Sequence, residues 1–323
     1  MAKKKVIYQR RPLWWKNVDK ILFLIALGIF VLLIPGQNIY TLSTYKQSAK
    51  INKLPFVPPT PAPYPVNSSG NYPGSDISAT GVVILDVDSG VVLYRRNDDM
   101  ELSPASTTKI MTALVALDTY KLDDIVTVRN LINNGQTMKL VSGERINVEN
   151  LLYGTLIQSG NDAAYVLAEN YPGGMEKFIE AMNQKAQRLH LTKTHFTNPV
   201  GYDDPNHKTS PMDLARLSQA ALSNSVIAKM VAIPQITISD VTHTYFHALT
   251  NVNQLLGKVP GVGGIKTGWT EEAGENLVTL IERNYHKVIV VVLHSKDRFG
   301  ETSKLIDWVF STITWQEIKP TSN

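Results

Sequence analysis

Strand-forming runs open and close the larger part of this chain, with helical patterns between them, and that order restricts the fold. "GVVILDVDSGVVLYRRN" (81–97) reads as two β-rich runs around Ser89-Gly90, a hairpin signal. Helical periodicity then dominates residues 104–230, in "TKIMTALVALDTY", "VENLLYGTLI", "DAAYVLAENY", "GMEKFIEAMNQKAQRL" and "PMDLARLSQAAL". Strand patterns return in "GGIKTGWT", "ENLVTLIER" and "HKVIVVVLHS", and "ETSKLIDWVFSTI" adds a last amphipathic helix. Such an order predicts an α+β domain over 79–315 whose sheet is assembled from distant parts of the chain. A body of that size buries a full core.

The residues before it are of another kind. Of the 323-residue chain's net charge of +4, the first 20 residues supply +6, leaving −2 for the rest. The basic balance therefore belongs to a short tail (1–20), and nucleic acid is not an expected partner. "ILFLIALGIFVLLI" (21–34), extended to Tyr40, matches the thickness of a bilayer core. Trp14, Trp15 and Tyr40 flank it as interfacial aromatics, and the Lys/Arg cluster keeps the N-terminus cytoplasmic. The reading is a cell-membrane signal-anchor over 21–40, with the remainder exported. A cleaved signal peptide is the alternative, although no good small-x-small site follows the apolar run. Residues 41–78, dense in Pro, read as an extended extracytoplasmic tether, and 316–323 as a C-terminal tail. With no cysteine, disulfides, thiol nucleophiles and Cys-ligated metals are excluded.

Within the domain, one charge interrupts an apolar helix. In "LSPASTTKIMTALVAL" (102–117), Ser103-Pro104 signals a helix start, as does Ser210-Pro211 in "SPMD". Ser106 then falls at the third helical position, where a free backbone N–H and the positive helix end favour a developing oxyanion. Lys109 lies one turn on, on the same face, beside the small residues Thr112, Ala113 and Ala116. A lysine crowded by apolar walls and a second cation loses its proton and serves as a base. Ser-x-x-Lys alone is weak, since about one is expected by chance in a chain this long; "STYK" (43–46) is one such.

Two further pieces carry chemistry. "LIQSGNDAAY" places Ser159 and Asn161 between helical segments, around a tight turn expected at Gly160; "SSGN" (68–71) repeats the three letters in the tether. "GIKTGWT" (264–270) offers Lys266 and Thr267, a cation and a hydroxyl, for a carboxylate. Gly268 permits close backbone approach on a strand edge, where an extended peptide can pair.

In the order Ser-x-x-Lys, Ser-x-Asn, Lys-Thr-Gly, the chain resembles the penicillin-binding, active-site-serine superfamily. "FTNPVGYDDPNHKTSPMDLARL" and "NVNQLLGKVPGVGGIKTGWTEEAGENLV" extend the likeness to the D-alanyl-D-alanine carboxypeptidases among the low-molecular-mass penicillin-binding proteins. The resemblance implies a β-lactamase-like fold: an antiparallel sheet flanked by helices, with an inserted all-helical subdomain. It implies that Ser106 attacks the carbonyl between two D-alanines of a peptidoglycan stem peptide and that Lys109 takes its proton. Ser159 would relay a proton to the leaving amine, Asn161 would orient the substrate amide, and Lys266, Thr267 and Arg298 would bind the terminal carboxylate. The oxyanion hole would use the amides of Ser106 and Trp269. No metal or cofactor is needed, and penicillin would act as a covalent inhibitor.

Three alternatives remain. A β-lactam-hydrolysing enzyme is disfavoured because no glutamate occurs from Ala181 to Thr270. A non-catalytic β-lactam sensor or wall-binding domain would leave Ser106, Lys109 and Ser159 without a task. "HTYFH" (243–247) has helical i,i+4 spacing for zinc but lacks the glutamate of a metalloprotease. Family members with a second β-domain and a C-terminal anchor are expected to be poor guides to membrane placement, because here the N-terminal segment takes that task.

Overall fold

The computed structural model describes residues 15–33 and 62–318, which fall into two compact units, 1–59 and 60–323. In the first, helix α1 (Trp15–Leu33) starts inside the basic tail and runs 19 residues. Its opening sequence brings Lys16, Asp19 and Lys20 into the helix. Among the described residues no helix is long and apolar enough to cross a membrane. The rest of the expected span, 34–40, lies outside the described residues, as do Trp14, Tyr40 and the "STYK" at 43–46.

In the second unit, strands β1 (Tyr64–Asn67), β2 (Gly81–Asp86) and β3 (Val92–Arg96) come first. A 3-10 turn (Ala105–Thr108) then runs into helix α2 (Lys109–Thr119). A short ribbon, β4 (Ile125–Thr127) with β5 (Arg145–Asn147), precedes helices α3 (Val148–Leu156), α4 (Asn161–Glu169), α5 (Gly174–Arg188), α6 (Pro211–Leu222) and α7 (Ser225–Val231). A second ribbon follows, β6 (Gln235–Ser239) with β7 (Phe246–Thr250). Strands β8 (Val262–Thr270), β9 (Gly274–Arg283) and β10 (His286–Ser295), helix α8 (Arg298–Thr312) and strand β11 (Ile313–Gln316) complete it.

The five-stranded sheet has the order β3-β2-β10-β9-β8, antiparallel throughout. The pairing of β2 with β10, Val82 opposite Val292, joins the two ends of the domain as the sequence order required. Both strands are apolar without alternation because both faces of the sheet are covered. Val83, Leu85, Ile289 and Val291 pack into the core shared with α2, α3 and α4. Val82, Ile84, Val288 and Val290 face Leu305, Ile306 and Val309 of α8. Helix α2 lies between sheet and helices, with every residue from Lys109 to Ala116 buried.

Two expectations are revised. The insertion is not all-helical, since it carries the β4–β5 and β6–β7 ribbons. Strands of three to five residues are too short to set up a readable period. The tether also gives way to folded structure earlier than residue 78, because β1 pairs with β11, Pro65 opposite Trp315. Proline cannot donate to a ladder but is tolerated on an edge, and here it reads as linker while standing in a ribbon.

Candidate active site

The segment around Ser106 is shaped by what presses on it. The Ser103 side chain does not cap the helix: its hydroxyl donates to Glu272 Oε1 at 3.0 Å and accepts from Lys208 Nζ at 2.9 Å. Pro104 takes the position before the 3-10 turn, and no side chain caps it. Ser106 is thus the second residue of a 3-10 turn rather than the third of an α-helix. Ser210 does cap its helix, accepting from the Asp213 amide at 3.2 Å.

Ala105, just before the serine, holds φ +49°, a left-handed conformation that costs a side-chain-bearing residue about 1–2 kcal/mol. Two glycines flank it at backbone contact. A Cβ on Gly268 would stand 2.9 Å from the Pro104 carbonyl oxygen and 3.0 Å from the Ser106 nitrogen. One on Gly201, at φ +91°, would stand 1.9 Å from the Ala105 carbonyl oxygen. Strand β8 and the loop at 198–202 can therefore close on Ser106 only with glycine at those positions.

Lys109 is fully buried and points at Ser106. Its Nζ lies 2.8 Å from Ser106 Oγ, 2.7 Å from Asn161 Oδ1 and 2.9 Å from the Val200 carbonyl oxygen. Burial, reinforced by the charge of Lys266 and opposed by Asp162, pulls its pKa well below the ordinary lysine value. A neutral amine has two N–H donors and one lone pair. Asn161 Oδ1 and the Val200 carbonyl can only accept, so they take both donors, and the lone pair is left for the Ser106 hydroxyl proton.

The second piece sits at the start of α4. Ser159, not Gly160, carries the left-handed conformation, with φ +60°. Gly160 is there for space: a Cβ would stand 2.9 Å from Asp162 Oδ1. Ser159 Oγ accepts from Lys266 Nζ at 2.7 Å, and the same ammonium donates to the Thr267 carbonyl at 3.0 Å. Burial, then the Arg298 charge, lowers Lys266 to about 7. Asn161 Nδ2 donates to the Asn134 carbonyl at 2.8 Å, so its amide group ties Lys109 to the 134–140 loop. Asp162 secures that loop, accepting from the amides of Met138 at 2.9 Å and Leu140 at 3.1 Å.

These groups open into one cleft of about 480 Å³, whose lining includes Ser106, Ser159, Asn161, Thr267, Gly268, Trp269 and Arg298. Trp269 is 62% exposed at the rim. Arg298, the first residue of α8, donates to the Gly268 carbonyl at 2.8 Å, and its Nε is buried without a partner among the described residues. Lys109 and Lys266 stand behind the lining as buried partners of the two serines. All nine residues singled out from the sequence thus come together.

Sequence reasoning missed other lining residues: Asn134, Gly135 and Gln136, with Val200, Gly201 and Tyr202. Gly201 lies in the quoted "NPVGY", where a glycine between bulky residues was the available signal. Glu271 also lines the cleft, one position beyond the glutamate-free stretch. The histidines of "HTYFH" are not on a helix. His243 bonds Ser239 Oγ at 2.8 Å, and His247, in β7, bonds Glu144 Oε1 at 2.9 Å. The "SSGN" at 68–71 follows β1 and does not line the cleft; Ser68 Oγ bonds Thr314 Oγ1 at 3.0 Å instead.

A family model described as D-alanyl-D-alanine carboxypeptidase matches residues 67–297. The D-alanyl-D-alanine carboxypeptidase DacF of Bacillus subtilis is 35% identical over 243 residues, 72% of this chain and 62% of its own length. The chain thus spans somewhat under two thirds of that curated relative. A crystal structure of the Streptomyces K15 DD-transpeptidase superposes with a TM-score of 0.71 at 33% identity, covering 75% of this chain and 99% of that one. Penicillin-binding protein D2 of Listeria monocytogenes, solved in an ampicillin-bound form, gives 0.66 at 28% identity, covering 74% and 100%. A serine with its own buried lysine, a second serine on a second lysine, and a family match across nearly the whole of the second unit lead to one assignment: the chain belongs to the D-alanyl-D-alanine carboxypeptidase family.

Proposed function

We propose that this chain is a serine-type D-Ala-D-Ala carboxypeptidase that trims peptidoglycan stem peptides through an acyl-enzyme on Ser106 and is acylated by penicillin. The observation that carries the reading is the fully buried Lys109 Nζ held 2.8 Å from Ser106 Oγ. Ser106 passes its proton to Lys109 Nζ as Oγ attacks the carbonyl carbon of the terminal D-Ala-D-Ala bond. The oxyanion is received by the amides of Ser106 and Trp269; the backbone contact at Gly268 supports that pairing. The C–N bond breaks, and the leaving amine takes a proton from Ser159, which Lys266 reprotonates across 2.7 Å. Lys109 has then gained one proton and Lys266 has lost one, and exchange between them restores the starting state. Water attacks the ester; its hydroxyl stays on the acyl carbon and its second proton returns to Ser106 Oγ.

A protonated Lys266 has one N–H left after Ser159 and the Thr267 carbonyl. With the Thr267 hydroxyl and the Arg298 guanidinium it makes a cationic end for the substrate carboxylate. Asn161 serves first as a fixed acceptor for Lys109, and from there borders the substrate amide. The same proposal places the domain outside the cytoplasmic membrane on the N-terminal segment, supported by the apolar run 21–34 and its basic flank. Removal of residues 1–40 should then release the enzyme from the membrane fraction.

The direct test is labelling with fluorescent penicillin. Ser106 should be the modified residue by peptide mass, Ser106→Ala should abolish the label, and Lys109→Ala should slow it by about 100-fold or more. A peptide ending in D-Ala-D-Ala should release D-alanine in the presence of a chelator. Labelling that survives Ser106→Ala would remove the reading.

A further inference from the structure

The third contact of Lys109 comes from the backbone: the Val200 carbonyl, 2.9 Å from Nζ. A main-chain acceptor is only as well aimed as the turn that carries it, and this turn is built around one side chain. Asn198 Oδ1 accepts from three successive amides, Val200 at 3.2 Å, Gly201 at 2.7 Å and Tyr202 at 3.0 Å. Its Nδ2 donates across the turn to the Tyr202 carbonyl at 3.1 Å. The turn is then wedged between α2 and the nucleophile segment. Thr112 Oγ1, three residues along α2 from Lys109, donates to the Pro199 carbonyl at 2.6 Å. Gly201 lies flat on the Ala105 carbonyl.

From this geometry we infer that Asn198 is a positioning residue for the base: it folds the 198–202 turn so that the Val200 carbonyl fixes one N–H of Lys109 and leaves the lone pair on Ser106. With only Asn161 as acceptor, the amine can rotate about its Cε–Nζ bond and present an N–H to the serine instead. The inference rests on the reading of Ser106 and Lys109 as nucleophile and base.

His207 braces the same turn from the other side. Its Nδ1 accepts from the Thr197 amide at 2.9 Å, which leaves Nε2 as the donor to Thr108 Oγ1 at 2.8 Å. The segment before the turn is thus tied to the residue before Lys109. Burial lowers the pKa of His207 to about 4, so the brace stays neutral through the physiological range. The charges felt by Lys109 are those of Lys266 and Asp162, and Asn198 adds none.

The test uses the full chain and rapid-mixing acylation by fluorescent penicillin. The pre-covalent dissociation constant and the first-order acylation rate are measured across pH for the unmodified protein, Asn198→Ala and Asn198→Asp. Asn198→Ala should lower the acylation rate by about 10–100-fold with the dissociation constant within twofold. Solvent reaching Lys109 should also raise its pKa, so the acid limb moves to higher pH. Asn198→Asp keeps acceptors for the three amides. It should recover the plateau rate to within about threefold, while its added negative charge also moves the acid limb upward. Should Asn198→Ala fail to fold, the limb and plateau of Asn198→Asp decide. A rate unchanged in Asn198→Ala, or an acid limb that stays put in the folded variants, overturns the inference. If the unmodified chain takes no label at Ser106, the reading of the site fails first, which separates the two outcomes.

Discussion

Two lysines are buried within one site, and their charges are coupled. Lys109 is fully buried and Lys266 is 2% exposed, and the charge of Lys266 helps keep Lys109 neutral. Arg298 in turn presses on Lys266. The folded Lys266 pKa of about 7 lies below the unfolded lysine value of 10.5. Between those values the unfolded chain binds the extra proton, so this residue's contribution to stability rises with pH across that window. Lys266→Met removes the dependence. The variant should be more stable than the unmodified protein at pH 7, on the order of a few kcal/mol less the lost hydrogen bonds, and most of that gain should vanish by pH 9.5. Urea unfolding at the two pH values measures it, and a stability difference that is flat with pH would contradict the assignment. At this level the sequence was largely legible, because Ser106, Lys109, Ser159 and Lys266 are set by motifs with local geometry. Val200 was not, since a backbone carbonyl has no letter of its own. Nor was the role of Asn161 as an acceptor for Lys109, because that contact joins residues 52 positions apart.

Among the secondary-structure elements, the β1–β11 ribbon stands out because it ties the strand after α8 to a strand that precedes the five-stranded sheet in the chain. Trp315 of β11 stacks on His286 with ring centroids 4.2 Å apart, and its Nε1 donates to Asp86 Oδ1 at 2.8 Å. These contacts hold the strand after α8 against the first turns of the five-stranded sheet. A chain beginning at residue 60 keeps the ribbon, whereas one beginning at 78 leaves the backbone edge of β11 unpaired and Trp315 partly uncovered. The shorter form should melt lower, by about 2–4 °C for each kcal/mol the ribbon contributes, while retaining penicillin labelling, because the cleft lies elsewhere in the sheet. Equal melting temperatures would mean that β1 adds nothing. The long helices and the apolar strands were legible from periodicity and caps. This ribbon was hidden because Pro61, Pro63 and Pro65 dictate a linker in isolation, and only a partner strand far along the chain makes Pro65 part of an edge strand. The β4–β5 and β6–β7 ribbons were hidden for a related reason. They are held by contacts with distant stretches of chain rather than by their own pattern, as with His247, buried between the Met138 carbonyl and Glu144.

In the molecule as a whole, the proposed reaction makes two different demands on the cleft, forming the ester and releasing it. Acylation as proposed needs only Ser106, its base and a proton for the leaving group; Ser106 and Ser159 line the cleft, with Lys109 and Lys266 bonded behind them. Release needs a water activated on the open side of the ester. In that reaction the departure of D-alanine would leave room for water beside the ester. A penicilloyl group keeps its opened ring tethered there, because its amine leaving group remains attached to the acyl part. A β-lactam-hydrolysing enzyme meets this with a second base, and the carboxylate on the cleft lining here, Glu271, is an exposed residue past the end of β8. The Ser106 penicilloyl ester should therefore persist for minutes or longer after excess drug is removed, which intact-protein mass spectrometry follows directly. Turnover faster than about one per second would mean that the cleft activates water without help from the substrate's departure, and would move the chain to the β-lactam-hydrolysing reading. Carboxypeptidase and transpeptidase chemistry share that ester and part only at the acceptor, so competition between water and an added amine for the acyl group, read from the products, decides between them.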